Sequence, residues 1–208
     1  PQSVRSSDSI GPSARNGYDK YMFKRSLSRG FTLIELMVTI SIGAILMTLG
    51  VPMMRNLIER NAVSGQVNSF VGAVQLARSE AIKRGIQVVV CRSANAETSN
   101  TPTCAASGTG WESGWIVFAD RNTNEQMSWS SGDSDVLLRV QGVITDSGGI
   151  EQNAFRKLVF RPTGLMSAGA SQMTFNSKSL TSSQQRRVCV TMAGRTRVIN
   201  NSTDTCES

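Results

Sequence analysis

The chain has 208 residues, 22 Lys and Arg against 15 Asp and Glu, a net charge of +7 and an apolar share of 39%. It contains no histidine, which removes Ser-His-Asp and Cys-His nucleophile systems and every His-based metal site. Its four cysteines lack the Cys-x-x-Cys spacing of zinc and dithiol redox sites, so no catalytic residue, metal or cofactor is expected.

Residues 1–21 are polar, rich in Ser and Gly and without periodicity. The chain starts at Pro1, and Met22 opens the short basic stretch MFKRSLSRG. Met22 is therefore the expected start of translation, with residues 1–21 an untranslated extension and 1–30 a leader. Residues 29–52, RGFTLIELMVTISIGAILMTLGVP, follow. The apolar run 31–54 is long enough to cross about 30 Å of hydrocarbon as a helix. Lys24, Arg25 and Arg29 precede it, which keeps the amino end cytoplasmic and sends the body across. The run is too long for a cleavable secretory signal, and no small-residue cleavage site follows it. One acid interrupts it, Glu35. A carboxylate near the bilayer core costs about 2.5 to 3.5 kcal/mol on insertion scales, so its presence points to function.

The pattern Gly30-Phe31-Thr32-Leu33-Ile34-Glu35 resembles the cleavage and methylation site of type IV prepilins. The resemblance implies that a prepilin peptidase cuts after Gly30 and leaves an N-methylated Phe31. It also implies that the Glu35 carboxylate pairs with the terminal amine of a neighbouring subunit during filament assembly. Such pairing neutralises both charges inside lipid.

Beyond the span about 155 residues remain, enough for one globular domain with a modest core. Past Pro52 the helix is expected to continue. Val67, Phe70, Val71, Val74, Ala77, Ala81 and Ile82 recur at three and four residues, while Arg55, Glu59, Arg60, Arg78 and Lys83 stay polar. Residues 55–85 thus read as the amphipathic half of one helix, with Gly85 as its stop. Pro52 removes one helix hydrogen bond and predicts a kink or local loosening, and pilins that resemble this chain carry a proline at the matching position.

From residue 86 the period changes to two. Residues 86–92, 115–119, 136–140, 157–160, 172–175, 187–192 and 196–200 read as short strands. Turn chemistry separates them at 107–110, 120–125, Gly148-Gly149 and 161–164. No helix pattern lies between them, so the expected fold is α+β: a β-rich domain over 86–208, mostly antiparallel, packed on one helix. Trp111, Trp115 and Trp129 are expected as core or loop anchors rather than stacking platforms, given their acidic neighbourhood.

Cys91, Cys104, Cys189 and Cys206 allow three connectivities. An oxidising periplasm favours pairing, and the pairs Cys91 with Cys104 and Cys189 with Cys206 are preferred because each brackets one loop or tail. Charge is divided along the chain. Without residues 1–30, sixteen basic residues face thirteen acids, a net +3. Residues 93–154 hold eight acids against Arg121 and Arg139, whereas 155–208 hold eight Lys and Arg against Asp204 and Glu207. That split suggests a basic face turned to an anionic partner.

Further segments sharpen the resemblance. They are the helical Val74-Gln75-Leu76-Ala77-Arg78-Ser79-Glu80-Ala81-Ile82-Lys83-Arg84-Gly85, Val88-Val89-Val90-Cys91, Gly114-Trp115-Ile116-Val117-Phe118, Phe160-Arg161-Pro162-Thr163-Gly164 and Gly194-Arg195-Thr196-Arg197. Together they look like the GspH/FimT group of minor pilins and pseudopilins, closer to FimT. FimT-like members belong to type IV pili, and GspH-like members to type II secretion. The resemblance implies a single-pass inner-membrane protein with a periplasmic domain, assembling with other major and minor pilins. FimT-like pilins use a Gly-Arg-x-Arg motif to bind double-stranded DNA in natural transformation. If Ala193-Gly194 is the tip of a two-residue hairpin, Arg195 and Arg197 alternate onto one face of the returning strand. Arg186 and Arg187 then stand at the foot of the entering strand, and Lys178, Arg161 and Lys157 are second-rank candidates. Guanidiniums grip phosphate bidentately, and no aromatic lies between them, so backbone binding without sequence choice is expected. The alternative is a secretion pseudopilin in which the same motif serves the fold or a neighbouring subunit.

Overall fold

The computed structural model describes residues 30–105, 110–127, 135–152, 157–167, 169–178, 185–200 and 206. The leader residues Met22, Lys24, Arg25 and Arg29 and the anchor Trp129 lie outside them. The chain falls into two compact units, Pro1–Ile45 and Leu46–Ser208.

In the first unit the start of helix α1 (Leu33–Arg84) is set by Thr32. Its carbonyl accepts from the Leu36 N–H and its hydroxyl accepts from the Glu35 N–H at 3.2 Å, which is the capping geometry of a threonine ahead of a helix. Apolar side chains from Phe31 to Ile45 are exposed, and the helix is long and apolar enough to cross a membrane.

In the second unit α1 continues without interruption through Pro52 to Arg84. Gly85, at φ +65°, donates its N–H to the Ala81 carbonyl and ends the helix in the left-handed conformation glycine adopts without strain. Among the described residues eight strands follow: β1 (Gln87–Arg92), β2 (Trp115–Asp120), β3 (Val136–Gln141), β4 (Ile150–Gln152), β5 (Lys157–Phe160), β6 (Ser171–Phe175), β7 (Arg186–Val190) and β8 (Thr196–Ile199). They form two four-stranded sheets, ordered β3-β2-β1-β5 and β4-β6-β7-β8. Every pairing is antiparallel.

Seven of these strands stand where period two predicts them, shifted by a residue or two at their ends. β4 was not expected: three residues are too short to display an alternation, and only its pairing with β6 makes it a strand. The single turn of 3-10 helix at Trp111–Ser113 is likewise invisible to periodicity.

The main core lies where Val63, Val67, Phe70, Val74, Ala77 and Ala81 of α1 meet the inner faces of both sheets. Phe70 sits edge-on to Trp111 and to Trp115, each at 5.7 Å between ring centroids, a favoured aromatic arrangement. The Trp111 indole donates to Gln152 at 3.0 Å, and both tryptophans are buried in the core as anchors. The outer face of the first sheet carries a second core of Val89, Cys91, Ile116, Phe118 and Val159. Ala96, Met127 and the half-buried Cys104 cover it. The Cys91–Cys104 disulfide, with Cα atoms 5.6 Å apart, holds residues 92–103 on that face. β2 is consequently buried along its whole length, and strict alternation gives way to a continuous apolar run. Ile82 departs from the helix pattern in the other direction: it is 52% exposed.

Candidate nucleic-acid interface

Two short segments and Arg78 of α1 meet at the last turns of that helix. The first is the turn after β5, in which Gly164 donates to the Arg161 carbonyl at 2.8 Å and Arg161 donates to the Leu165 carbonyl at 2.9 Å. Met166 then bridges back to Phe160. The second is the β7–β8 connection, where Gly194 donates to the Thr191 carbonyl and Thr191 to the Arg195 carbonyl. The loop is therefore Met192-Ala193-Gly194, three residues and not the two expected, with Gly194 at φ +69°. Three-residue hairpins take a type I turn followed by a left-handed residue, and glycine supplies it. The Met166 N–H donates to the Met192 carbonyl at 2.9 Å and ties the two segments together.

Arg78 of α1 is the third partner. A Cβ on Gly194 would lie 2.9 Å from Arg78 Cδ, 3.0 Å from the Gly164 carbonyl oxygen and 3.1 Å from Phe160 Cε1. A Cβ on Gly164, itself at φ +78°, would lie 2.8 Å from Ile82 Cδ1 and 3.4 Å from Arg78 Nε. Both glycines are thus demanded by the fold, and the Gly of the Gly-Arg-x-Arg motif seats the hairpin against the helix. A cleft of about 510 Å³ opens beside this junction, between Gln75, Arg78, Ser79 and Ile82 on one side and Gly194, Arg195 and Thr196 on the other.

The cations expected at the site are distributed unevenly. Arg195 and Arg161 are exposed beside these turns, and Arg197 is exposed on β8 opposite Cys189. Among the described residues none of these three arginines forms an ion pair. Arg187 pairs in register with Ile199 and Thr174 on the face of the second sheet that also carries Cys189 and Arg197. Arg186 falls on the other face and donates from Nη1 to the carbonyls of Gln185 and Asn200. It borders a separate groove with Ser64, Val67 and Asn68 of α1. Lys157 is paired with Glu125 at 2.6 Å and Lys178 with Asp146 at 3.0 Å, so the structure gives both ammonium groups carboxylate partners.

Sequence patterning missed Arg78. It sits on the polar side of the helical repeat, like Arg84 and Lys83, yet those two bind the Glu80 carboxylate whereas Arg78 points at the hairpin glycines. The hydrogen bond from Arg84 is the main cause holding the Glu80 carboxyl below its ordinary range. Cys206 is joined by a disulfide, Cα atoms 5.6 Å apart, to Cys189 on the strand that opposes Arg197.

The described residues hold no group of three acids or cysteines able to bind a metal. A long amino-terminal helix packed through its second half on antiparallel sheets, ahead of two disulfide-pinned segments, defines a type IV pilin-like fold. Residues 25–51 match the Prokaryotic N-terminal methylation motif. Residues 66–194 match the family described as Type II transport protein GspH, and the chain belongs to that family of minor pilins and pseudopilins, structural filament subunits and not enzymes. The methylation motif implies processing by prepilin peptidase and assembly with other pilins. Among solved structures, the type IV minor pilin FimU of Pseudomonas aeruginosa is 16% identical, with 69% of this chain and 92% of that chain covered and a TM-score of 0.48. The minor pseudopilin EpsH from the type II secretion system of Vibrio cholerae is 11% identical, with 70% and 99% covered and a TM-score of 0.47. Among curated proteins none matches the chain.

Proposed function

We propose that this chain is a FimT-like minor type IV pilin that binds double-stranded DNA through its carboxyl-terminal hairpin. The exposed pair Arg195 and Arg197, rigidly presented by Gly194, carries this reading. Guanidiniums in that position meet phosphate oxygens without reading base edges, so affinity is electrostatic and indifferent to sequence. Arg161, exposed on the neighbouring turn, is a further candidate contact, and Arg187 is half-buried on the sheet face that also carries Arg197. Lys157 and Lys178 contribute less, because binding there would first break an ion pair. At the other end, prepilin peptidase cuts after Gly30, Phe31 becomes the methylated terminus, and Glu35 meets the terminal amine of a neighbouring pilin. The apolar half of α1 anchors the chain once in the inner membrane before assembly, with residues 55–208 in the periplasm.

The test uses the full chain in non-ionic detergent. Labelled duplexes of unrelated sequence should bind with similar dissociation constants of about micromolar or weaker, as expected of non-specific binding. Arg195→Gln with Arg197→Gln should remove most binding while the melting temperature is kept, since exposed charges contribute little to stability. Equal binding by the double variant would overturn the reading.

A second reading, a type II secretion pseudopilin without a nucleic-acid role, is favoured by one observation. Ile82, Leu165 and Met192, next to the arginines, are each about half exposed and apolar, which suits a protein neighbour better than a phosphate backbone. Capture of secretion-tip subunits by the full chain, with no duplex binding, would establish it instead.

A further inference from the structure

The DNA reading assigns the exposed arginines of the hairpin and leaves the cleft behind them without a role. Gln75, Arg78, Ser79 and Ile82 of α1 line one side and Gly194, Arg195 and Thr196 of the hairpin the other, so a largely apolar lining carries two arginines. Among the described residues no carboxylate lines it. The nearest acid along the helix, Glu80, is engaged by Arg84 and Lys83. Arg78 Nε is shielded from solvent and has no hydrogen-bond partner among the described residues, although a buried guanidinium nitrogen ordinarily has one. Arg78 is also held in place from both sides, by Gly164 and Gly194, so little rotamer freedom remains to be lost when a ligand binds.

We infer that the cleft between α1 and the β7–β8 turn is an oxyanion subsite, in which Arg78 and Arg195 clamp one phosphate group from opposite walls. Two guanidiniums on separate elements suit this task, because each offers a planar fork of donors to a tetrahedral anion. The Thr196 hydroxyl and the Gln75 amide supply further donors, whereas the Ser79 hydroxyl is donated to the Leu76 carbonyl. The inference rests on the DNA reading for the source of that phosphate, the backbone of the bound duplex. It adds that one phosphate is buried against the helix while the rest of the duplex stays on the exposed hairpin.

Amide resonances of the isotope-labelled full chain in non-ionic detergent, titrated separately with a short duplex and with inorganic phosphate, test this. Both ligands should shift Gln75, Arg78, Ser79, Gly194 and Thr196, and the duplex should also shift Arg197. Arg78→Gln should weaken duplex binding about tenfold, the effect of removing one charged hydrogen-bond donor pair, and lower the logarithmic salt slope by about 0.9. Arg78→Lys should restore the slope but not the affinity, a split that poorer packing alone would not produce. Arg121→Gln, on the β2–β3 loop, should change neither.

If the duplex shifts Arg197 and leaves 75–79 untouched, the subsite is refuted while the DNA reading stands. Shifts at 75–79 with inorganic phosphate but none with duplex would keep the oxyanion site and remove DNA as its source. Silence with both ligands refutes subsite and DNA reading together. An Arg78→Gln variant with unchanged melting temperature, duplex affinity and salt slope would leave Arg78 a packing residue only.

Discussion

Gly194 and Arg195 are neighbours with opposite duties. The glycine is buried at φ +69° with Arg78, Gly164 and Phe160 around it, so a side chain there meets strain and overlap at once. Gly194→Ala should cost about 1–3 kcal/mol, the usual penalty for a non-glycine residue in the left-handed region. It should appear as a lower melting temperature, and an unchanged one would show that the turn relaxes freely. Arg195, one position on, is exposed and free of that constraint. Under the DNA reading the motif spacing therefore mixes a fold requirement with a binding one, and only the geometry separates them. The placement of Arg195 and Arg197 on an exposed hairpin was legible in the sequence because a Gly-Arg-x-Arg hairpin has a recognisable form. The position of Arg78 against this hairpin was not, since it depends on two glycines 86 and 116 residues further along the chain, and helical periodicity assigns it merely to a polar face.

At the scale of elements, local pattern foretold the one long helix, its glycine stop and seven strands. What it could not supply were features created by long-range pairing: β4, the burial of β2 on both faces, and the three-residue hairpin. The two disulfides are part of that long-range order. Each closes a loop for which chain-entropy estimates give roughly 3 kcal/mol. Peptide mapping without reduction should recover Cys91 linked to Cys104 and Cys189 linked to Cys206; a Cys91 to Cys189 link would contradict the fold. Cys91→Ser with Cys104→Ser should expose the second core and lower the melting temperature without weakening DNA binding. Cys189→Ser with Cys206→Ser should weaken it, because Cys189 is the register partner of Arg197.

For the whole molecule, the chain joins a membrane-type segment to a domain that presents cations. The exposed apolar residues between Phe31 and Ile58 make sense only if lipid or other subunits cover them. Mass spectrometry of the protein extracted from cells with active peptidase should find a chain beginning at methyl-Phe31, and an intact leader would contradict the processing. Glu35→Ala should leave that cut unaffected and abolish incorporation into filaments. The most direct measurement of the central claim is the salt dependence of duplex binding by the full chain in non-ionic detergent. Replacing both Arg195 and Arg197 by Gln should lower the slope of log affinity against log salt by about 1.8, roughly 0.9 for each phosphate no longer neutralised. An identical slope for wild type and double variant would mean that the hairpin arginines do not touch DNA.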